Sequence, residues 1–202
     1  TLVTQLIDQH PAPSTAHKPR ILILPHAGYQ YSGLVAARGF RELQGQRYDA
    51  VVVVGFMHRD EFEGTSVDDS EAYHTPLGTI PVDTEAVAFL RTWPKIQHLE
   101  LAHTSGEHSL EVMLPFLQVA LGEFRLVPLL MGSAVRSDAE ALADALAALA
   151  KRGDYLFVFS TDLSHYHPYD QALQRDETTV GAILFETPQA VNRLFALGHL
   201  EA

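Results

Sequence analysis

Residues 50–55 read Ala-Val-Val-Val-Val-Gly. Four consecutive valines leave no polar face, so the segment predicts a strand covered on both sides, as in a parallel sheet flanked by helices. Working outward, residues 20–24 (RILIL), 124–131 (FRLVPLLM) and 154–159 (DYLFVF) are further short apolar runs of strand type. Pro128 counts against the third of them as a strand, or places it at an edge or a bulge. Helical stretches fall between the strands. The spacing predicts helices over 33–43, 84–93, 107–121, 139–151 and 170–186, and a last helix opened by Thr187-Pro188. Asp83 is the expected N-cap of 84–93. Thr104 with Glu107, and Ser137 with Glu140, have capping-box spacing ahead of 107–121 and 139–151. Residues 60–82 are polar and rich in turn formers and read as loop or a short hairpin. Strands alternating with helices define an α/β chain, expected as a single three-layer domain over 1–202 with a mostly parallel central sheet.

The composition removes several function classes. The 202 residues contain no cysteine, which excludes disulfides, thiolate zinc sites, iron–sulfur clusters and cysteine nucleophiles. No apolar run approaches the roughly 18 residues of a membrane span. Lys and Arg number 14 against 25 Asp and Glu, a net charge of −11 with no basic patch, so nucleic acid is not an expected partner. Cytoplasm is the expected compartment. No glycine-rich phosphate loop is found. Ser160-Thr161-Asp162 lacks the Gly-x-Ser-x-Gly elbow of serine hydrolases. Histidine is abundant, 11 in all.

Three of these histidines stand just past predicted strands: His26 in Pro25-His26-Ala27-Gly28-Tyr29, His58 in Gly55-Phe56-Met57-His58, and His165 in the stretch 160–166. Open α/β sheets bind ligands outside the carboxyl ends of their strands. His108 opens the predicted 107–121 helix, and Glu111 shares its face. Imidazoles with a carboxylate suit iron(II), or zinc at tetrahedral geometry, and histidines without metal can act as acids and bases. Each residue also has a plainer reading. His26 and His108 can bond neighbouring groups, His58 can be a solvated loop residue, and Asp162 can make an Asx turn. Ser160 and Ser164 can cap the helix that follows. His10, His17, His74, His98, His103 and His199 lack a strand-end position and read as structural or surface residues.

Five motifs in order carry a family resemblance: ILILPHAGYQYSGLVAA (21–37), VVVVGFMH (51–58), HTPLGTIPVD (74–83), AHTSGEHSLEVMLPFLQ (102–118) and STDLSHYHPYD (160–170). They resemble the Memo family, called AmmeMemoRadiSam system protein B in bacteria and archaea. The resemblance implies a fold similar to the class III extradiol dioxygenases, which hold non-haem iron with two histidines and a glutamate. It implies His26 and His58 as metal-binding positions, with His108 lining the pocket. The third metal-binding position, a cysteine in animal Memo, matches Ser164, a weaker ligand than a thiolate. Asp162, Glu107 or water are the alternatives for completing the shell. Tyr29, Glu107, Glu111, Ser160 and Asp162 are expected in the pocket, and His108 and His165 in acid–base roles. Non-haem iron is the expected metal, with zinc or copper as alternatives. The expected activity is an extradiol-type oxidoreductase acting on a small molecule. The alternative is an accessory protein acting with a radical SAM partner and an AMMECR-type protein. The resemblance also implies family segments beyond both ends of 1–202.

Overall fold

The computed structural model describes residues 1–13, 17–104 and 106–200. It divides into two compact units, Thr1–Ser160 and Thr161–Ala202. The first unit runs α1 (Leu2–Asp8), β1 (Ile21–Leu24), α2 (Gly33–Arg41), β2 (Ala50–Phe56) and β3 (Thr65–Val67). A hairpin follows, β4 (Ala72–Thr75) and β5 (Gly78–Pro81), then α3 (Thr84–Leu90), β6 (Ile96–Gln97) and α4 (Glu100–Thr104). A 3-10 turn at Glu111–Met113 leads into α5 (Leu114–Leu121), followed by β7 (Leu126–Met131), α6 (Arg136–Leu149) and β8 (Tyr155–Ser160). The second unit holds α7 (Tyr169–Phe185) and α8 (Pro188–Ala196).

The central sheet has six strands in the order β1-β8-β2-β7-β3-β6. All pairs are parallel except β3 with β7. The valine run lies in the middle, and its side chains split between two cores. Val51 and Val53 pack with Phe40, Phe116 and Leu117 on one face. Val52 and Val54 pack with Leu142, Ala145 and Leu149 on the other. Period-two alternation between two buried faces is why the segment carries no polar residue. Each fully buried valine contributes on the order of 1.5–3 kcal/mol.

Several local expectations change. Pro128 sits inside β7, opposite Val53 of β2, and not at an edge or bulge. Its carbonyl faces Asp68, just past the end of β3, and accepts that residue's N–H at 3.3 Å. The missing N–H therefore falls where the β3 ladder has already stopped. Helix 107–121 begins only at Leu114, with Pro115 in its first turn. Thr104 ends α4 and donates its hydroxyl to the Glu100 carbonyl, so it caps nothing. Ser137 lies inside α6 and accepts from Lys95 Nζ, so it is not an N-cap. Asp83 does cap α3, accepting from the Ala86 N–H at 3.0 Å. Thr187 does the same for α8. The segment 60–82 contains the expected hairpin. It also contains β3, which joins the central sheet.

Candidate metal centre

Parallel pairing brings the ends of β1, β8 and β2 to one edge of the first unit. Leu24 lies opposite Ser160, and Val54 opposite Phe159. His26 follows β1 by two residues and His58 follows β2 by two. The third wall is the segment 107–109, held down by Ser109. Its hydroxyl donates to the Phe56 carbonyl at 2.9 Å and accepts the Phe56 N–H at 3.1 Å. Its carbonyl accepts from Ser160 Oγ. The loop is thus tied to β2 and β8 together. Gly55 makes this approach feasible: a Cβ there would stand 2.5 Å from Ser109 Oγ. Ser109 was not visible as a site residue in the sequence, since an isolated serine has no spacing to mark it.

Glu107 is the electrostatic centre of the loop. Oε1 accepts the N–H groups of His108 at 2.8 Å and Ser109 at 2.7 Å, and Oε2 accepts the His58 N–H at 2.8 Å. The His58 ring adds Nδ1 at 2.9 Å from Oε1. Burial alone would push this carboxyl up. The Ser109 and His58 N–H groups and the His58 ring outweigh it and hold the carboxyl at about 2. This bonding is also why the 107–121 helix starts late. The carboxylate binds backbone donors across the loop instead of closing a capping box.

The three imidazoles converge. His26 is buried and edge-on to both partners, 5.1 Å from the His58 centroid and 5.7 Å from His108. His58 and His108 stack at 4.8 Å. One nitrogen from each ring lies within 4.8 Å of the other two. Hydrogen bonding fixes two tautomers. Ser160 Oγ gives its proton to the Ser109 carbonyl, so at 2.8 Å it accepts from His26 Nδ1. His58 Nδ1 donates to the ionised Glu107. Each neutral ring therefore carries its lone pair on Nε2, and those two nitrogens face each other at 3.3 Å. Two acceptors at that distance can share one cation, a proton or a metal. Two nitrogens bound to one zinc at about 2.0–2.1 Å lie about 3.4 Å apart at the tetrahedral angle. The residues present fit a metal ion.

A second group, Asp68, Asp69 and His98, also has ligand atoms close together. Several of its polar atoms already have protein partners. His98 Nδ1 lies 3.2 Å from the Val67 carbonyl, Asp69 pairs with Arg91 at 2.7 Å, and Asp68 accepts from Ser70.

A cavity of about 1050 Å³ flanks the centre. Tyr29, Glu107 and Glu111 line it, while His26, His58 and His108 are not among its lining residues. His74 and His103, read from sequence as structural or surface residues, also stand in its wall. In the second unit, Asp162 Oδ2 lies 3.5 Å from His165 Nε2. The Ser164 N–H donates to Asp176 Oδ1 at 3.0 Å, and its buried hydroxyl has no hydrogen-bond partner among the described residues. No helix among the described residues is long and apolar enough to cross a membrane.

Comparison with known proteins places this geometry. A family model described as Memo-like protein matches residues 1–196. The chain belongs to the Memo-like family. A MEMO1 family protein of Thermotoga maritima is 37% identical over 175 residues, 86% of this chain and 63% of that protein. A MEMO1 family protein of Aquifex aeolicus is 34% identical over 172 residues, 85% and 63% respectively. One from Methanopyrus kandleri is 34% identical over 166 residues, 80% and 59%. This Memo-like chain therefore spans less than two thirds of the length of those relatives.

Proposed function

We propose that this Memo-like chain holds a first-row metal at His26 and His58, non-haem iron(II) before zinc or copper, and that it is an extradiol-type oxidoreductase acting on a small molecule. The opposed Nε2 lone pairs of His26 and His58 carry this reading. When bound, iron supplies redox chemistry toward dioxygen and an organic substrate. The chain's own residues do the rest. Ser160 and Glu107 fix the two ligand tautomers, the outer support that metal-binding histidines ordinarily have. His108, stacked on His58 and half exposed, stands within the cluster's reach and serves to hold or move a proton at its ring. The family resemblance nominates Ser164 as a further donor. Replacing it with the softer ligand, Ser164→Cys, should then tighten zinc binding; unchanged affinity removes Ser164 from the site. His165 is a second acid–base candidate. The reading treats residues 1–202 as one Memo-like domain in the cytoplasm.

The test is elemental analysis of protein purified without oxygen, beside the His26→Ala/His58→Ala double variant. Near-stoichiometric iron, lost in the double variant, supports the metal site. Oxygen consumption with a panel of catechols then tests the oxidoreductase. Ser164 at a position where the resemblance expects a thiolate favours a second reading, an accessory protein without turnover. Co-purification with a radical SAM partner or an AMMECR-type protein, with no oxygen consumed, would favour it.

A further inference from the structure

The cavity beside the histidine cluster has a polarity of its own. At about 1050 Å³ it is at the upper end of small-molecule sites. Its walls are mostly aliphatic and aromatic, with Leu6, Leu34, Leu114, Tyr29, Tyr31 and Tyr73 among them. Its described lining includes no lysine or arginine, and its carboxylates are Glu107 and Glu111.

Most of its polar atoms are already committed to protein partners. Tyr29 donates its hydroxyl to the Val112 carbonyl at 3.0 Å. The Tyr73 oxygen lies 3.2 Å from His103 Nδ1. His103 Nε2 meets Ser66 Oγ at 3.0 Å. Burial holds the His103 ring toward its neutral form. All the bonds of Glu107 described above go to the loop and to His58. Glu111 is different. Among the described residues its carboxylate has no hydrogen-bond or ion-pair partner, although it acts electrostatically on Tyr29. Burial first, and then the Glu111 charge, push the Tyr29 hydroxyl up to about 12, so the ring stays neutral beside the carboxylate.

An apolar, aromatic chamber with one uncommitted anion is complementary to an apolar body carrying a positive charge. Aromatic faces favour a cation nearby, and the carboxylate gives it a charge-assisted bond. An anionic ligand would meet two carboxylates and no lysine or arginine. We infer that the cavity is a binding site for an apolar amine, whose ammonium group is taken by Glu111. This goes beyond the metal reading and does not depend on it, because the lining and Glu111 are the same whether or not the histidines hold an ion.

Calorimetric titration with tryptamine and with its carboxylate counterpart, 3-indolepropionate, tests the inference. The two share ring and chain and differ in charge. Tryptamine should bind about tenfold more tightly. Glu111→Gln should remove that preference and Glu111→Lys should reverse it, with unchanged circular dichroism confirming the fold of these surface-turn variants. The titrations are run with and without a chelator while bound metal is measured separately. Amine binding equal in both arms keeps the inference standing even if no metal is found. Equal or tighter binding of the carboxylate, no binding of either compound at millimolar concentration, or an unchanged preference in Glu111→Gln would overturn it.

Discussion

Glu107→Gln separates a supported metal site from two histidines that merely touch. Glutamine keeps one acceptor and replaces the other with an NH₂ donor. With its oxygen in the Oε1 position, it can still take the N–H groups of Ser109 at 2.7 Å and His108 at 2.8 Å, and His58 Nδ1 at 2.9 Å. The amide nitrogen then falls where Oε2 accepted the His58 N–H at 2.8 Å, so donor faces donor. An unmade bond of this kind costs about 1–3 kcal/mol of stability. The His58 ring also loses its charged acceptor, and losing such outer support typically weakens metal binding about 10–100-fold, or roughly 1.4–2.7 kcal/mol. The assay is competition with a chromogenic chelator for iron(II) without oxygen and for zinc(II). It is paired with urea unfolding of the same preparations. The expected result is weaker binding of both metals by a folded variant, with a lower urea midpoint. Binding within twofold of the parent chain, beside a clear stability loss, would reduce Glu107 to a loop brace and refute the tautomer reasoning.

Ser160→Ala removes the acceptor that fixes His26 and should weaken metal binding about tenfold, with little change in the far-ultraviolet spectrum; unchanged affinity would mean the ring is set by packing alone. Gly55→Ala places a Cβ 2.5 Å from Ser109 Oγ and 2.9 Å from a Leu130 methyl group, so the 107–109 loop must lift. Metal affinity and thermal midpoint should fall together, whereas Gly181→Ala, with open space around it, should lower neither. Asp138 is held at about 2, against an ordinary 3.8, by Lys95, then the Ser133 hydroxyl and the Gly64 N–H. A depressed carboxylate contributes stability above its ordinary value and loses it as pH falls through the folded one. Solvent around the part-exposed Lys95 keeps the resulting contribution to about 1 kcal/mol. Asp138→Asn should therefore lose about 1 kcal/mol in urea at pH 7, with the gap closing toward pH 2; a gap independent of pH would assign the loss to packing.

The long apolar strands were legible in the sequence because a run such as 50–55 has one stable environment, a sheet interior. The histidines at 26 and 58 were legible for the same reason, since strand ends in such a sheet share an edge. What the sequence hid depends on contacts between distant residues. The strand at Thr65–Val67 is three residues long and polar at two of them, so no periodicity marks it. The capping-box spacing of Thr104 and Glu107 puts a helix start at 107, whereas the carboxylate is used across the loop on His58. Asp138, at the start of α6, is likewise spent on Gly64 and Lys95, and Ser137 turns to the same lysine. Local capping rules fail in both places because a long-range donor outbids the local one. His103 has no strand-end position, yet the hairpin that carries Tyr73 brings it into the cavity wall.

The bonds that support the proposed metal ligands are the same bonds that close the sheet edge. Ser109 joins the ends of β2 and β8, Ser160 joins that loop to His26, and Glu107 joins it to His58. The two opposed nitrogens are therefore held in place by the fold before any ion arrives. A cation shared by the two nitrogens would bind the folded chain and not the unfolded one. Metal binding should thus raise the unfolding midpoint, and the gain should shrink in Ser160→Ala, where His26 is free to turn its lone pair elsewhere.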